Sequence, residues 1–230
     1  MLYRPETTSL LFDLDGTLLD PGDKVALDLQ ATFERLGTNL SIEEARDALK
    51  DWESTAERFG YTREQFWQAF DFSREPWSES LKEGRASLYE DTLPVLDDLV
   101  LHGYTRLGLI TRSNLEDTVV KIAHFGLDKY FQTIQITPTK KKEFPNKTLS
   151  VIEALVELQP PAGSDIIFVG DSEQDDIGTV YSLSEEIPHL KGAYVNRTKT
   201  PLKEYPADYE IAKLTELMSI LRGEHHGTAS

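Results

Sequence analysis

The sequence predicts a doubly wound α/β protein with a mostly parallel five-stranded sheet and an α-helical domain inserted after its first strand. Three observations carry this. Five short apolar runs have the length and composition of strands buried on both faces. Helical patterns separate the later runs, each closed by a recognised stop signal. One long stretch near the N-terminus has helical patterns and no convincing strand, so it stands apart from the alternating remainder.

Taken in order, the first strand runs from Leu10 to Phe12 and ends at Asp13, because two acids spaced i, i+2 point to one side of a strand and repel each other when buried. The helical insert spans 20–87. Gly37 suits the end of a helix from about Val25 to Leu36, and Ser41-Ile42-Glu43-Glu44 and Thr62-Arg63-Glu64-Gln65 both have the spacing of a capping box. Beyond it, Leu93 to Leu101 is followed by Gly103, Val119 to Phe125 by Gly126, and Leu149 to Leu158 by Pro160-Pro161. The remaining strands are Leu107 to Ile110, Thr133 to Ile136, Ile166 to Val169 and Ala193 to Val195, and a last helix covers Lys213 to Leu221. The expected organisation is an α/β core of 1–19 with 88–223, a helical domain of 20–87, and a polar tail, 224–230, expected to be disordered.

A chain of 230 residues can bury one sizeable core with a small appended domain. With no cysteine, a disulfide framework, a thiolate metal site and a thiol nucleophile are excluded. A formal charge of −16, from 40 acidic and 24 basic residues, opposes nucleic acid and anionic membranes while leaving room for a local basic pocket. No signal pattern or membrane-length apolar window is present, so a cytoplasmic protein is the expectation.

The segment Phe12-Asp13-Leu14-Asp15-Gly16-Thr17-Leu18 carries the chemistry. A divalent cation is the simplest partner that makes paired strand-end carboxylates favourable, since hard cations take oxygen ligands. Gly16 lets the backbone approach a ligand closely. The segment resembles the first motif, Asp-x-Asp-Gly-Thr, of the haloacid dehalogenase superfamily of phosphohydrolases, in particular its phosphatase branch with an inserted helical cap, which includes phosphoglycolate phosphatase and β-phosphoglucomutase. The resemblance covers essentially the whole chain, because the helical insert falls where that family carries its cap.

Ligands of doubly wound sheets sit beyond the carboxyl ends of the strands. The residues there are Asp13 and Asp15, then Thr111-Arg112-Ser113-Asn114, then Gly170-Asp171-Ser172-Glu173-Gln174-Asp175-Asp176, with Lys147 before a helix. Asp13 can act as a nucleophile towards phosphorus. The resemblance implies Mg²⁺, held by the Asp13 carboxylate, the Asp15 backbone carbonyl and Asp171. It implies Asp15 as general acid and then general base. Thr111 and the backbone amide of Arg112 would bind the transferred phosphoryl, Lys147 would neutralise its charge, and Asp175 or Asp176 would hold metal-bound water or orient Lys147. The family often has Lys-Pro where this chain has Lys147-Thr148. Lys140, Lys141 and Lys142 compete for the role, and spacing favours Lys147. An acid at Asp15 favours ester cleavage over dehalogenation, because an alkoxide needs a proton to leave and a halide does not.

Trp52, Trp67 and Trp77, with Phe59, Tyr61, Phe66, Phe70 and Phe72 nearby, all lie in the insert and are mostly read as its core; a substrate pocket is the alternative. Arg74, Lys82, Arg85 and Arg197 are read as solvated cations, each a candidate to meet a substrate anion. His225 and His226 are read as tail. No serine-hydrolase motif or phosphate-binding glycine loop is present. The expectation is a Mg²⁺-dependent hydrolase of a small phosphorylated metabolite, with no nucleic-acid or membrane partner. A phosphomutase on the same scaffold and a non-catalytic binding protein are the alternatives.

Overall fold

Strand β1, Thr8–Phe12, is buried at all five positions and forms the centre of the sheet. The computed structural model describes residues 2–137 and 146–224. Around β1 run β2 (Leu107–Thr111), β3 (Thr133–Ile136), β4 (Asp165–Gly170), β5 (Leu190–Val195) and β6 (Tyr209–Ile211). Their order is β3-β2-β1-β4-β5-β6, and every pairing is parallel. This is the strand order of a doubly wound sheet, in which order reverses beside the first strand. Register pairs Leu10 with Leu107 and Phe12 with Leu109 on one side, and Phe12 with Val169 on the other. The ends of β1, β2 and β4 therefore lie together.

The sheet has six strands where the sequence predicts five. The additional strand is only three residues long and buries Ile211 alone, so no apolar run announces it. It is held by its register on β5, where Ala193 pairs with Tyr209 and Val195 with Ile211.

Helices α6 (Thr92–Leu101), α7 (Leu115–Phe125), α8 (Thr148–Leu158), α9 (Gly178–Leu183) and α10 (Thr215–Leu221) complete this unit. Val151, Ala154 and Leu158 of α8, with Val180 and Leu183 of α9, pack on Leu11, Ile110 and Phe168 of the sheet. The predicted stops are physical ones. Gly126 ends α7 in the left-handed conformation at φ 61°, and Gln159 does the same for α8 at φ 46°, one residue before Pro160.

By contact the chain divides into two compact units, Met1–Asp20 with Leu88–Ser230, and Pro21–Ser87. The second is helical: α1 (Lys24–Arg35), α2 (Ile42–Ala48), α3 (Trp52–Arg58), α4 (Arg63–Ser73) and α5 (Trp77–Lys82). Both capping boxes form, Ser41 with Glu44 and Thr62 with Gln65. Phe33 and Phe66 are buried at the centre, with Trp52, Tyr61, Trp67 and Phe70 packed against them; Trp52 stacks on Phe66 at 4.2 Å. Most of the insert's aromatics are thus core, whereas Phe72 is 76% exposed. Arg85 is not freely solvated: it pairs with Glu75 at 2.7 Å and Glu83 at 2.6 Å. Among the described residues no helix is long and apolar enough to cross a membrane.

Candidate active site

The turn after β1 brings the first carboxylates to the sheet edge. Asp13 is 5% exposed, and its N–H continues the ladder to the Val169 carbonyl at 2.9 Å. Gly16 then adopts φ 90°, and a Cβ there would lie 2.2 Å from Asp171 Oδ2. Only glycine permits both the conformation and this approach. Thr17 follows and donates its hydroxyl to Asp171 Oδ1 at 3.0 Å.

After β4 the chain makes one wide helical turn over Glu173–Ile177 and continues into α9. Ser172 caps the turn by accepting from Asp175 N at 3.1 Å. Asp176, fully buried, accepts the Ser172 N–H at 2.9 Å. Gly170 leaves room for it, since a Cβ there would lie 2.2 Å from Asp176 Oδ2.

Lys147 stands immediately before α8, and its backbone N–H donates to Thr179 Oγ1 at 2.9 Å. Its buried ammonium donates to Asp13 Oδ1 and, at 2.8 Å, to Asp176 Oδ1. Oxygens of Asp13, Asp171 and Asp176 all lie within 4.8 Å of one another. Two of these carboxylates thus share one buried ammonium, and the third, Asp171, lies half-buried beside them. Burial pushes the Asp13 carboxyl well above the usual range against the pull of Lys147, with Asp176 and Asp171 adding to the rise. Burial and then Asp176 push Asp171 up to about 6. Burial alone would depress the Lys147 ammonium, but Asp13 and Asp176 outweigh it and raise it. All-oxygen donors with uncompensated negative charge fit a hard divalent cation.

The Asp15 carboxylate takes different partners. It accepts from Ser113 Oγ at 2.7 Å, and Lys121 Nζ donates to both of its oxygens at 2.8 Å. Lys121 is 1% exposed and also donates to Ser113 Oγ at 2.6 Å. Burial lowers its ammonium, and Asp15 opposes that shift. Sequence reasoning missed Lys121. Its signal was a charge among the inward positions of α7, which also include Thr118 and Ile122.

Thr111, at the end of β2, is buried, and its hydroxyl accepts from Ser113 N at 3.1 Å. The Arg112 guanidinium pairs with Asp175 at 2.8 Å. Asp175 thus lies on Arg112, whereas Asp176 lies on Lys147. Burial raises the Asp175 carboxyl, and Arg112 draws it back. Lys140, Lys141, Lys142, His225 and His226 lie outside the described residues.

Arg197 corrects the reading of a solvated cation. It pairs with buried Asp91 at 3.0 Å, donates to the Thr17 carbonyl at 3.0 Å, and stacks on the Tyr89 ring at 3.7 Å. It therefore braces the turn that carries Thr17 to Asp171.

Residues 10–180, from β1 into α9, match the haloacid dehalogenase-like hydrolase family. The chain belongs to that family. A relative, pyrophosphatase PpaX of Halalkalibacterium halodurans, is 23% identical over 94% of this chain and 97% of its own length. A 5′-nucleotidase of Pseudomonas aeruginosa is 25% identical over 74% of this chain and 76% of its own. The crystal structure of a HAD phosphatase from Thermococcus onnurineus superposes with a TM-score of 0.66 at 25% identity, covering 95% of this chain and all (100%) of that one.

Proposed function

We propose that this hydrolase is a Mg²⁺-dependent phosphatase that cleaves small phosphomonoesters through a phospho-Asp13 intermediate. The observation that carries the reading is the cluster of Asp13, Asp171 and Asp176, with Lys147 bonded to Asp13 and Asp176, and a further carboxylate, Asp15, two residues from Asp13. Asp13, Asp171 and the Asp15 carbonyl would hold the cation, with Asp176 beside them. When bound, Mg²⁺ supplies charge neutralisation for a phosphate dianion entering an acidic site.

The chain's own residues divide the rest of the work. The Asp13 carboxylate attacks phosphorus, and the ester oxygen departs with a proton from Asp15. Lys147 offsets charge on Asp13 and the incoming phosphoryl, while Thr111 Oγ1 and the Arg112 N–H bind the phosphoryl oxygens. Asp15, now ionised, accepts a proton from the water that releases phosphate and regenerates Asp13. The helical unit Pro21–Ser87 is inserted at the point in the sequence where the family carries its cap.

The relatives' names put pyrophosphate and nucleoside monophosphates into the test beside phosphoglycolate and sugar phosphates. Phosphate release is measured with Mg²⁺ and with EDTA, for wild type and for Asp13→Asn. The reading expects Mg²⁺-dependent release that Asp13→Asn abolishes. Release that persists in Asp13→Asn would sink the covalent route, and a folded protein that binds Mg²⁺ yet releases phosphate from none of these would sink the activity.

A further inference from the structure

We infer that Lys121, together with Ser113, is the positioning residue that holds the Asp15 carboxylate as general base for the hydrolysis of phospho-Asp13. The inference rests on the phospho-Asp13 reading above. An ammonium 1% exposed on the inner face of a helix is costly, because desolvating an ion carries a penalty of several kcal/mol, and an apolar side chain would fill the position without it. Lys121 meets Asp15 and Ser113 there, with contacts of 2.8 Å to each carboxylate oxygen and 2.6 Å to the hydroxyl, and the Asp117 and Asp13 charges favour it too.

The donor count fixes what the carboxylate can still do. An ionised carboxylate offers about four lone-pair sites on two oxygens. Among the described residues, Oδ2 accepts Lys121 and Ser113, whereas Oδ1 accepts Lys121 alone. One Oδ1 site remains, on a side chain 31% exposed, and partners on two separate elements hold the carboxylate. Ser113 is held by the turn after β2, where its N–H donates to Thr111 Oγ1, and Lys121 is carried by α7. In this step the water oxygen bonds to phosphorus, its proton passes to Asp15 Oδ1, and the bond from phosphorus to the Asp13 oxygen breaks with its electron pair returning to Asp13. The products are inorganic phosphate and the free Asp13 carboxylate.

The test separates the two half-reactions. A radiolabelled aryl phosphate is used with Mg²⁺, because its phenolate leaves without a proton and formation of phospho-Asp13 then needs no acid. Label on the protein is followed by rapid acid quench during formation, and again after a chase with excess unlabelled substrate. In Lys121→Met the decay of phospho-Asp13 slows by about tenfold or more while its formation stays within about twofold, and Ser113→Ala shifts decay in the same direction by less. Decay unchanged from wild type, or formation and decay slowed alike, overturns the inference. If Lys121→Met does not fold, Ser113→Ala decides alone. A wild type that turns the substrate over without label on Asp13 sinks the covalent reading itself, a result distinct from either variant outcome.

Discussion

Lys147 is the only cation among the described side chains seen to bridge Asp13 and Asp176, and its removal leaves two buried carboxylates facing each other. Breaking a buried pair by deleting one partner costs about 3–5 kcal/mol, and losing an electrostatic donor at a reacting centre lowers kcat about 10²–10³-fold. Lys147→Met is therefore expected to show both effects, by urea denaturation and by phosphate release at saturating Mg²⁺; an unchanged kcat in a folded variant would remove Lys147 from the chemistry. Gly16→Ala makes a sharper steric case, since the new methyl would sit 2.2 Å from Asp171 Oδ2 in a backbone conformation alanine resists. It is expected to weaken Mg²⁺ binding by calorimetry and to reduce turnover with it. The convergence of Asp13, Asp171 and Lys147 was legible because strand ends of a parallel sheet share one edge. Which of Asp175 and Asp176 faces the group was not, because one residue of phase in the turn after β4 decides it. Lys121 was hidden for a different reason. A lysine in a helix reads as surface unless the sequence says which carboxylate faces it, and Asp15 is 106 residues away. Arg197 was misread on the same ground, since its partners Asp91 and Thr17 are distant in sequence.

At the scale of elements, local signals carried the helices. The boxes at Ser41 and Thr62 satisfy helix-start N–H groups within four residues, so they can be read without tertiary context. Ser41→Ala removes the acceptor for the Glu44 N–H and is expected to lower unfolding stability by about 1 kcal/mol, with phosphate release unchanged. A denaturation midpoint equal to wild type would mean that this cap is satisfied equally well by water. Strand β6 shows the opposite case. Tyr209–Ile211 is too short to have a periodicity, and its pairing with β5 is what makes it a strand. Strands β1, β2, β4 and β5 carry longer apolar runs and were visible for that reason. Long-range pairing decides the short element, and a single chain of letters does not contain it.

For the molecule as a whole, the acidic group links stability to pH and to metal. Burial raises the Asp13 and Asp171 carboxyls above their ordinary values, Asp171 to about 6 from 3.8. The folded state therefore holds protons that the unfolded chain has released, and stability of the metal-free protein falls as pH rises from about 4 through 6. The overall charge of −16 acts in the same direction, because deprotonation adds to self-repulsion. A divalent cation bound only by the folded state would replace those protons and add stability by mass action. In EDTA the thermal midpoint is thus expected to be higher at about pH 5.5 than at about pH 7.5. Mg²⁺ should raise it more at the higher pH, where the carboxylates are free of protons to displace. Asp171→Asn removes one buried charge, so it should raise the midpoint in EDTA at the higher pH while blunting the response to Mg²⁺. A midpoint in EDTA that climbs between the two pH values would contradict the buried-acid account. A Mg²⁺ response undiminished in Asp171→Asn would instead place the cation elsewhere, and the two failures separate the electrostatics of the site from its ligand.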